Sequence, residues 1–536
     1  MSGKLATLDW AILIAYFAAI FGIAFRPSRS EKGKASVDYF LAGRNVGWFV
    51  IGASIFAANI GSDHVIGLAG SGAAGNMPAA QFEIIGSIAL LVLGWLFVPF
   101  YLRSGVFTMP EFLERRYSAG PRYYLAVLSV IGYVLTKISV TIAAGGIVFE
   151  TLMGVNFWVG AIAIVIATGI YTIVGGLRAV LYTDLVQMFL IIGGSVIVTV
   201  VGLHAVGGWH ALTNTLEPEA MSLWRSMHDP EYPWTGLVFG TTILGVWYWC
   251  TDQFIVQRTL SARSIDAAQK GTIFAAFLKQ LPLFIFVLPG LIAYALTKQG
   301  ALHYERADQA LPALIGALLP VGLKGLVCAG LIASLMSSLS AVFNSCATIV
   351  TMDLYRHIEP HASERRLLRV GQIATGAMVI LSLAWIPFMG VLASGLYTYI
   401  QSVQAYLAPP IAAVFLIGVF WTRANAKGAM AALLIGSTIG ALRLVLEMNK
   451  AHLTGLLRDF VGINFLHFAL ILFGISTVIL VIVSLATPTT VPEHVRGLTL
   501  ATQSCSSAED TRQRGVNVVL SVGVAVLIAA IWIYFS

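Results

Sequence analysis

A few polar side chains stand inside long apolar runs of this sequence: Asn59, Asp63, His64, Glu83, Lys137, Asp184, Asp252, Lys279, Gln401 and Gln404. A charged or amide group in hydrocarbon costs about 2.5–3.5 kcal/mol or more unless it faces a cavity or a partner. Their types restrict the chemistry. Asn59, His64, Glu83, Lys279 and Gln401 together supply hydrogen-bond donors and acceptors, and Tyr248 and Trp249 supply flat rings. That set suits a neutral, hydroxyl-rich ligand with an apolar C–H face, such as a sugar. No His and carboxylate pair has metal-ligand spacing, and an anionic substrate would call for an arginine that the spans lack, the twelfth excepted. For any one of these residues taken alone, a role as polar glue between helices carries about equal weight.

Ser334, Ser337 and Ser338 recur at three and four and therefore share one helix face. Their hydroxyls, with any exposed carbonyls, are hard oxygen ligands suited to Na⁺. The same spacing also gives a small-residue packing seam, which spacing alone favours. Gly61, in "FAANIGSDHVIGLAGSG", weakens a helix by about 1 kcal/mol relative to Ala. An unwound turn there would release carbonyls near Ala57 and Ile60, as broken helices do at ion sites near the midplane of transporters.

The elements that must position these groups are membrane spans. The chain has 536 residues, 58% hydrophobic and 11% charged, with mean hydropathy +0.85. A soluble domain is about 25% charged. A span needs about 20 apolar residues. Fourteen such runs are read, centred near residues 16, 57, 91, 138, 166, 192, 245, 282, 336, 378, 407, 436, 474 and 526. The net charge of +7 is a matter of topology. With alternating loops, 22 Lys and Arg residues fall on one side and 7 on the other. The richer side, which includes Arg103, Arg115, Arg116, Arg122, Arg178 and Arg258, is read as cytoplasmic, so both termini are expected outside. The basicity therefore marks no nucleic-acid surface.

The first run, near Leu8 to Phe25, has its basic flank after it and no small-residue cleavage site, so it is read as a retained helix. "FTMPEFLERRY" at 107–117 is expected to be a short interfacial helix started at Pro110, with Arg115 and Arg116 facing the inner leaflet. The segments 206–233 and 487–515 are read as connectors. "GSGAAG" at 70–75 has the spacing of a dinucleotide loop but no preceding strand, and is expected to be an external turn. Cys250, Cys328, Cys346 and Cys505 have neither disulfide nor metal spacing, and "WYWCTDQ" lacks a His partner for a nucleophile.

Four stretches, "ASIFAANIGSDHVIGLAGSG", "WYWCTDQFIVQRTLSA", "ASLMSSLSAVFNSCATIVTMDLY" and "YIQSVQAYLAPPIAAVFLIGVFW", resemble the sodium/glucose cotransporter branch of the solute:sodium symporters, in order and nearly end to end. The short internal loop and compact length are closer in form to a bacterial member. The resemblance implies an all-α polytopic membrane protein of 14 transmembrane helices with an external N-terminus and a core of two inverted five-helix repeats. The corresponding segments are 1–45, a peripheral first helix and basic loop; 46–205, the first repeat; 206–233, an external loop; 234–420, the second repeat; and 421–536, peripheral helices. It implies a sugar site at Asn59, His64, Phe82, Glu83, Tyr248, Trp249, Lys279 and Gln401, with Tyr248 as an inner gate beneath the sugar. It implies a Na⁺ site at the carbonyls of Ala57, Ile60 and Ser334 and the hydroxyls of Ser337 and Ser338. Relatives thought to carry two sodium ions have a hydroxyl and an acid where this chain has Ser340 and Asp184.

The expected activity is Na⁺-driven uptake of a hexose by alternating access in the plasma (inner) membrane, without covalent chemistry and hence without an enzyme's role. Its partners are a sugar, sodium ions and the lipid bilayer, with no nucleic acid. Four positions depart from the family pattern: Gly245 for a polar residue, Ile84 for a tryptophan, and Thr398 and Thr141 for acids; Ala341 also removes a hydroxyl. They leave glucose, galactose, myo-inositol or another organic solute open. A transport-dead sugar sensor or leak channel is the reading from another class, and proton coupling through Asp63 and His64 is an alternative to Na⁺.

Overall fold

The computed structural model describes residues 5–28, 36–61, 63–385, 396–488, 495–502 and 510–536. Among the described residues the elements are helices, with one isolated bridge between Val46 and Ala262. A chain this apolar must satisfy its backbone within each segment, which helices do.

Among the described residues, eleven helices are long and apolar enough to cross a membrane, and the bent pair Trp48–Asn59 and Asp63–Ala73 makes twelve. The expected fourteen is not reached by this measure, for two reasons. Phe157–Val206 is one helix of 50 residues that covers two of the expected runs. At 1.5 Å per residue it is about 75 Å long, more than twice the roughly 30 Å hydrocarbon thickness. It turns at Gly176, where φ is +57°. A Cβ there would sit 2.6 Å from the Tyr39 carbonyl, so glycine serves both the backbone and the contact. The apolar segment Gly236–Thr251, another of the expected runs, is too short to count.

Burial separates centre from periphery. The span within Leu323–Ile358 is 94% buried and that within Ile265–Lys298 is 83% buried, whereas Thr7–Phe25 and Arg514–Tyr534 are 28% and 22% buried. The central helices are those that carry Ser334 to Ser340 and lead into Lys279. Large apolar side chains such as Ile162, Ile166 and Ile170 remain exposed along one outer face, as lipid contact requires.

Three sequence expectations change. Arg116 does not face the leaflet. It is 1% exposed and donates to the carbonyls of Gly418 (2.6 Å), Trp421 (2.8 Å) and Ala424 (3.0 Å) at the C-terminal end of Leu396–Phe420. A cation there satisfies carbonyls that the helix leaves open. Its helix, Met109–Arg116, does form where expected, capped by Thr108. Arg258 is not a loop charge: it is fully buried. In "GSGAAG", Gly70 to Ala73 lie in a helix, and only Ala74 and Gly75 form the turn.

Candidate functional site

Two broken helices meet at the centre. Trp48–Asn59 ends at Ile60, whose ψ of 88° is not helical, and the chain resumes as π-helical turns at Asp63–Leu68, bent by 62°. The second is Val246–Thr251, also π-helical, which stops at the extended Asp252 before Gln253–Leu260. Such π turns recur at functional sites because they displace side chains from the regular ladder.

Seven of the eight expected substrate residues, Asn59, His64, Phe82, Glu83, Tyr248, Trp249 and Gln401, line one cavity with about 430 Å³ of space between its atoms. The eighth, Lys279, is fully buried just outside that lining, at the end of Ile265–Leu278. Its ammonium donates to Asn59 Oδ1 and Glu83 Oε2. His64 Nε2 lies 3.0 Å from Glu83 Oε1, and its Nδ1 lies 3.0 Å from Asp63 Oδ1. Asn59 Nδ2 donates to the Tyr248 hydroxyl at 2.9 Å. The Tyr248 and Trp249 rings meet edge to face at 4.9 Å, and Lys279 Nζ lies 5.1 Å from the Trp249 centroid. The arrangement is a preorganised set of acceptors, donors and rings around a small space. It can exchange hydrogen bonds with a hydroxyl-rich ligand, and it presents no nucleophile beside a base. Gly245 lines the same cavity, and a Cβ there would lie 3.2 Å from that of Ala89, so a larger side chain would crowd this wall.

On the opposite side of the break lies the serine face. The amide of Gly61 bonds to the carbonyl of Asn59 (2.8 Å) instead of Ala57, and that of His64 bonds to Gly61 (3.1 Å) instead of Ile60. The carbonyls of Ala57 and Ile60 are thereby released from the helical ladder. Ser338 Oγ donates to the carbonyl of Ala58 at 2.9 Å. A Cβ on Gly61 would approach Ser338 Oγ to 2.7 Å, so only glycine allows the break and Leu323–Ile349 to come this close. Ser337 Oγ donates to Asp184 Oδ1 at 2.6 Å, and Ser334 Oγ back-bonds to Leu331. Hydroxyls that donate in this way keep lone pairs free.

Asp184 lies deeper in this network than its sequence position beside Arg178 implies. It accepts from Ser54 (2.5 Å) and Ser337 and pairs with Arg258 at 3.3 Å. Ser340 Oγ donates to the Ser337 carbonyl at 2.9 Å and makes no hydrogen bond to Asp184. Arg443, the arginine of the twelfth run, lies apart from both sites. It is buried against the rings of Tyr406, Phe460 and Phe468 and donates to Val461 and Ile463.

Asp63, Thr241, Leu244 and Gln404 also line the cavity, and Lys137 donates to the Tyr248 hydroxyl at 2.6 Å. None of these was assigned to the site from sequence. Asp63, Lys137 and Gln404 carried the signal of costly intramembrane polarity; the apolar and hydroxyl positions carried none. The side chain of Thr398 lies outside the described residues.

Broken helices around a buried polar cage, within a bundle of membrane-crossing helices, define a multi-pass integral membrane transporter. The model of the sodium:solute symporter family matches residues 39–436. The chain is 40% identical to sodium/glucose cotransporter 1 of Oryctolagus cuniculus, across 89% of this chain and 79% of that protein. It is 38% identical to the sodium/myo-inositol cotransporter of Homo sapiens, across 95% and 78%. Its fold matches a solved Na⁺-coupled sialic acid symporter with TM-score 0.78 and 22% identity, across 90% of this chain and 99% of that one. The chain belongs to the sodium:solute symporter family.

Proposed function

We propose that the protein couples inward movement of Na⁺ to uptake of a hexose by alternating access. The observation that carries the substrate class is the cage of Asn59, His64, Glu83, Gln401 and Trp249 that shares one cavity with the Tyr248 ring. Relatives named as sodium/glucose cotransporters support it. In this reading Lys279 holds Glu83 and Asn59 in place instead of lining the pocket. A myo-inositol carrier is the second reading. The relatives named as sodium/myo-inositol cotransporters favour it. Breaks at Ile60 and Asp252, in the first helix of each expected repeat, support the inverted repeats spanning 46–205 and 234–420. The positive-inside bias supports both termini being extracytoplasmic, and it accounts for the basic charge as topology. Labelled hexose and myo-inositol are to be offered to proteoliposomes under imposed Na⁺ or H⁺ gradients. Accumulation of hexose driven by Na⁺ is expected; accumulation of neither solute overturns the reading.

Sodium is placed at the released carbonyls of Ala57 and Ile60, the Ser334 carbonyl, and the hydroxyls of Ser337 and Ser338. Ser338→Ala removes one oxygen from the ion's shell and also the bond to the Ala58 carbonyl. The Na⁺ concentration for half-maximal uptake is expected to rise about tenfold, even at saturating sugar, as loss of roughly 1.4 kcal/mol implies. An unchanged Na⁺ dependence returns the serine face to a packing role.

A second sodium is proposed to pass Ser340 and Asp184 on its way inward. Support comes from the direct contact of Asp184 with Ser337 of the first site, which makes the two positions contiguous. The sugar reversal potential, measured as the Na⁺ gradient is varied, should show a slope of two ions per sugar, falling to one in Ser340→Ala. A slope of one in the parent protein rules the second ion out.

A further inference from the structure

One carboxylate in the central cavity has no lysine or arginine of its own. Asp63 opens the turns that resume after the break at Gly61, and it lines the cavity with Glu83 and His64. The two acids are placed differently. The Glu83 side chain is 6% exposed and is paired with the Lys279 ammonium. The Asp63 side chain is 20% exposed, against 3% for His64. Its Oδ1 lies 3.0 Å from His64 Nδ1, and among the described residues the carboxylate makes no other hydrogen bond or ion pair. His64 is shared, because its Nε2 lies 3.0 Å from Glu83 Oε1. One imidazole thus serves two carboxylates.

The neighbouring ammonium groups are used elsewhere. Lys279 donates to Asn59 and Glu83, and Lys137 donates to the Tyr248 hydroxyl. Neither lysine lines the cavity. A carboxylate is an acceptor only, and one that opens onto an enclosed space attracts a donor, a charged donor most strongly. The rings of Phe82, Tyr248 and Trp249 stand in the same walls, and ring faces also attract a cation. The remaining polar lining is amide and hydroxyl, from Asn59, Gln401, Gln404 and Thr241. The cavity therefore offers a place for one ammonium among groups that hold hydroxyls.

We propose that Asp63 is a specificity-determining residue, and that the cavity prefers a sugar bearing a protonated primary amine to the same sugar with a hydroxyl in its place. The ammonium donates to Asp63 Oδ2, the amides and Glu83 hold the hydroxyls, and the rings cover the C–H face. The bound ammonium also offsets a negative charge that no lysine or arginine in the lining balances. The inference rests on the transport reading above and narrows its substrate class from hexoses to amino sugars.

Calorimetric titration of the purified full-length protein at fixed Na⁺ tests it. The probes are glucose, glucosamine and the isomer with its amine on the terminal carbon. At least one amine should bind about tenfold more tightly than glucose, the worth of one charge-assisted hydrogen bond. In Asp63→Asn the amide oxygen keeps the place on His64 and the amide nitrogen turns to the cavity, so the ratio of amine to glucose affinity should fall to about one. Asp63→Ser should show the same loss and guards against a folding defect in the first variant. Glucose binding by each variant is its own reference, so only the ratio counts. No preference for either amine in the parent overturns the proposal, and so does a preference that survives both substitutions. Loss of amine and glucose binding in equal measure also overturns it, since Asp63 then belongs to the frame of the cage. A parent that binds these sugars but accumulates none of them under a Na⁺ gradient is a different failure: it removes the transport reading and leaves the binding preference to the titration. Binding of none of the three by the parent overturns both.

Discussion

Lys279→Met is expected to abolish sugar uptake and to lower the melting temperature of the purified protein. The ammonium is fully buried, donates to Asn59 and Glu83, and stands over the Trp249 ring. Methionine fills the same volume without a charge. Glu83 then loses that ammonium, and a buried carboxylate stripped of its cation costs about 3–5 kcal/mol. Glu83→Gln alone should be milder, about 1–3 kcal/mol, because the amide still accepts from Lys279. The combination Lys279→Met with Glu83→Gln separates the two roles of the pair. It removes both charges, so the melting temperature should recover toward that of the parent while uptake stays lost. If Lys279→Met melts and transports like the parent, the pair is not what holds the cage together.

The other large effect is expected at Tyr248. Its ring lines the cavity and is held by Asn59, by Lys137 through the hydroxyl, and by Lys137 Nζ lying 3.9 Å from the ring centroid. Tyr248→Phe loses two hydrogen bonds but keeps the ring and its attraction for the buried ammonium, which also lies 4.3 Å from the Phe254 centroid. Tyr248→Ala removes a large buried ring from the cavity wall, a change that costs about 3–5 kcal/mol in a packed core. Na⁺-driven accumulation should fall more than about tenfold in Tyr248→Ala, consistent with that magnitude. Vesicles preloaded with sugar should leak it without Na⁺. Tyr248→Phe should retain tight coupling with a modest loss of rate. Full, equal accumulation by both variants removes Tyr248 as a gate.

The helical, membrane-crossing character of the chain and most of its cage were legible in the sequence, because hydrocarbon makes every intramembrane polar group conspicuous. Asn59, His64, Glu83, Lys279 and Gln401 stand out by their cost alone, and Gly61 marks the break by its weak helix propensity. What cost cannot show is the partner. Lys137 and Lys279 look alike along the chain; packing sets one beneath Tyr248 and the other behind Glu83 and Asn59. Arg258 reads as a loop charge, and only the folded chain pairs it with Asp184 across 74 positions.

Arg116 shows the same limit from the opposite side. Its place in a basic loop was plain, but not that carbonyls some 300 positions away would enclose it. Hydropathy and charge bias are local sums, and they determined the spans, the break and the inventory of polar types. The pairing of charges and the cavity beside them depend on which helix faces which. The tertiary structure alone decided these, because a buried ion pair or cavity is defined by distances that sequence spacing does not contain.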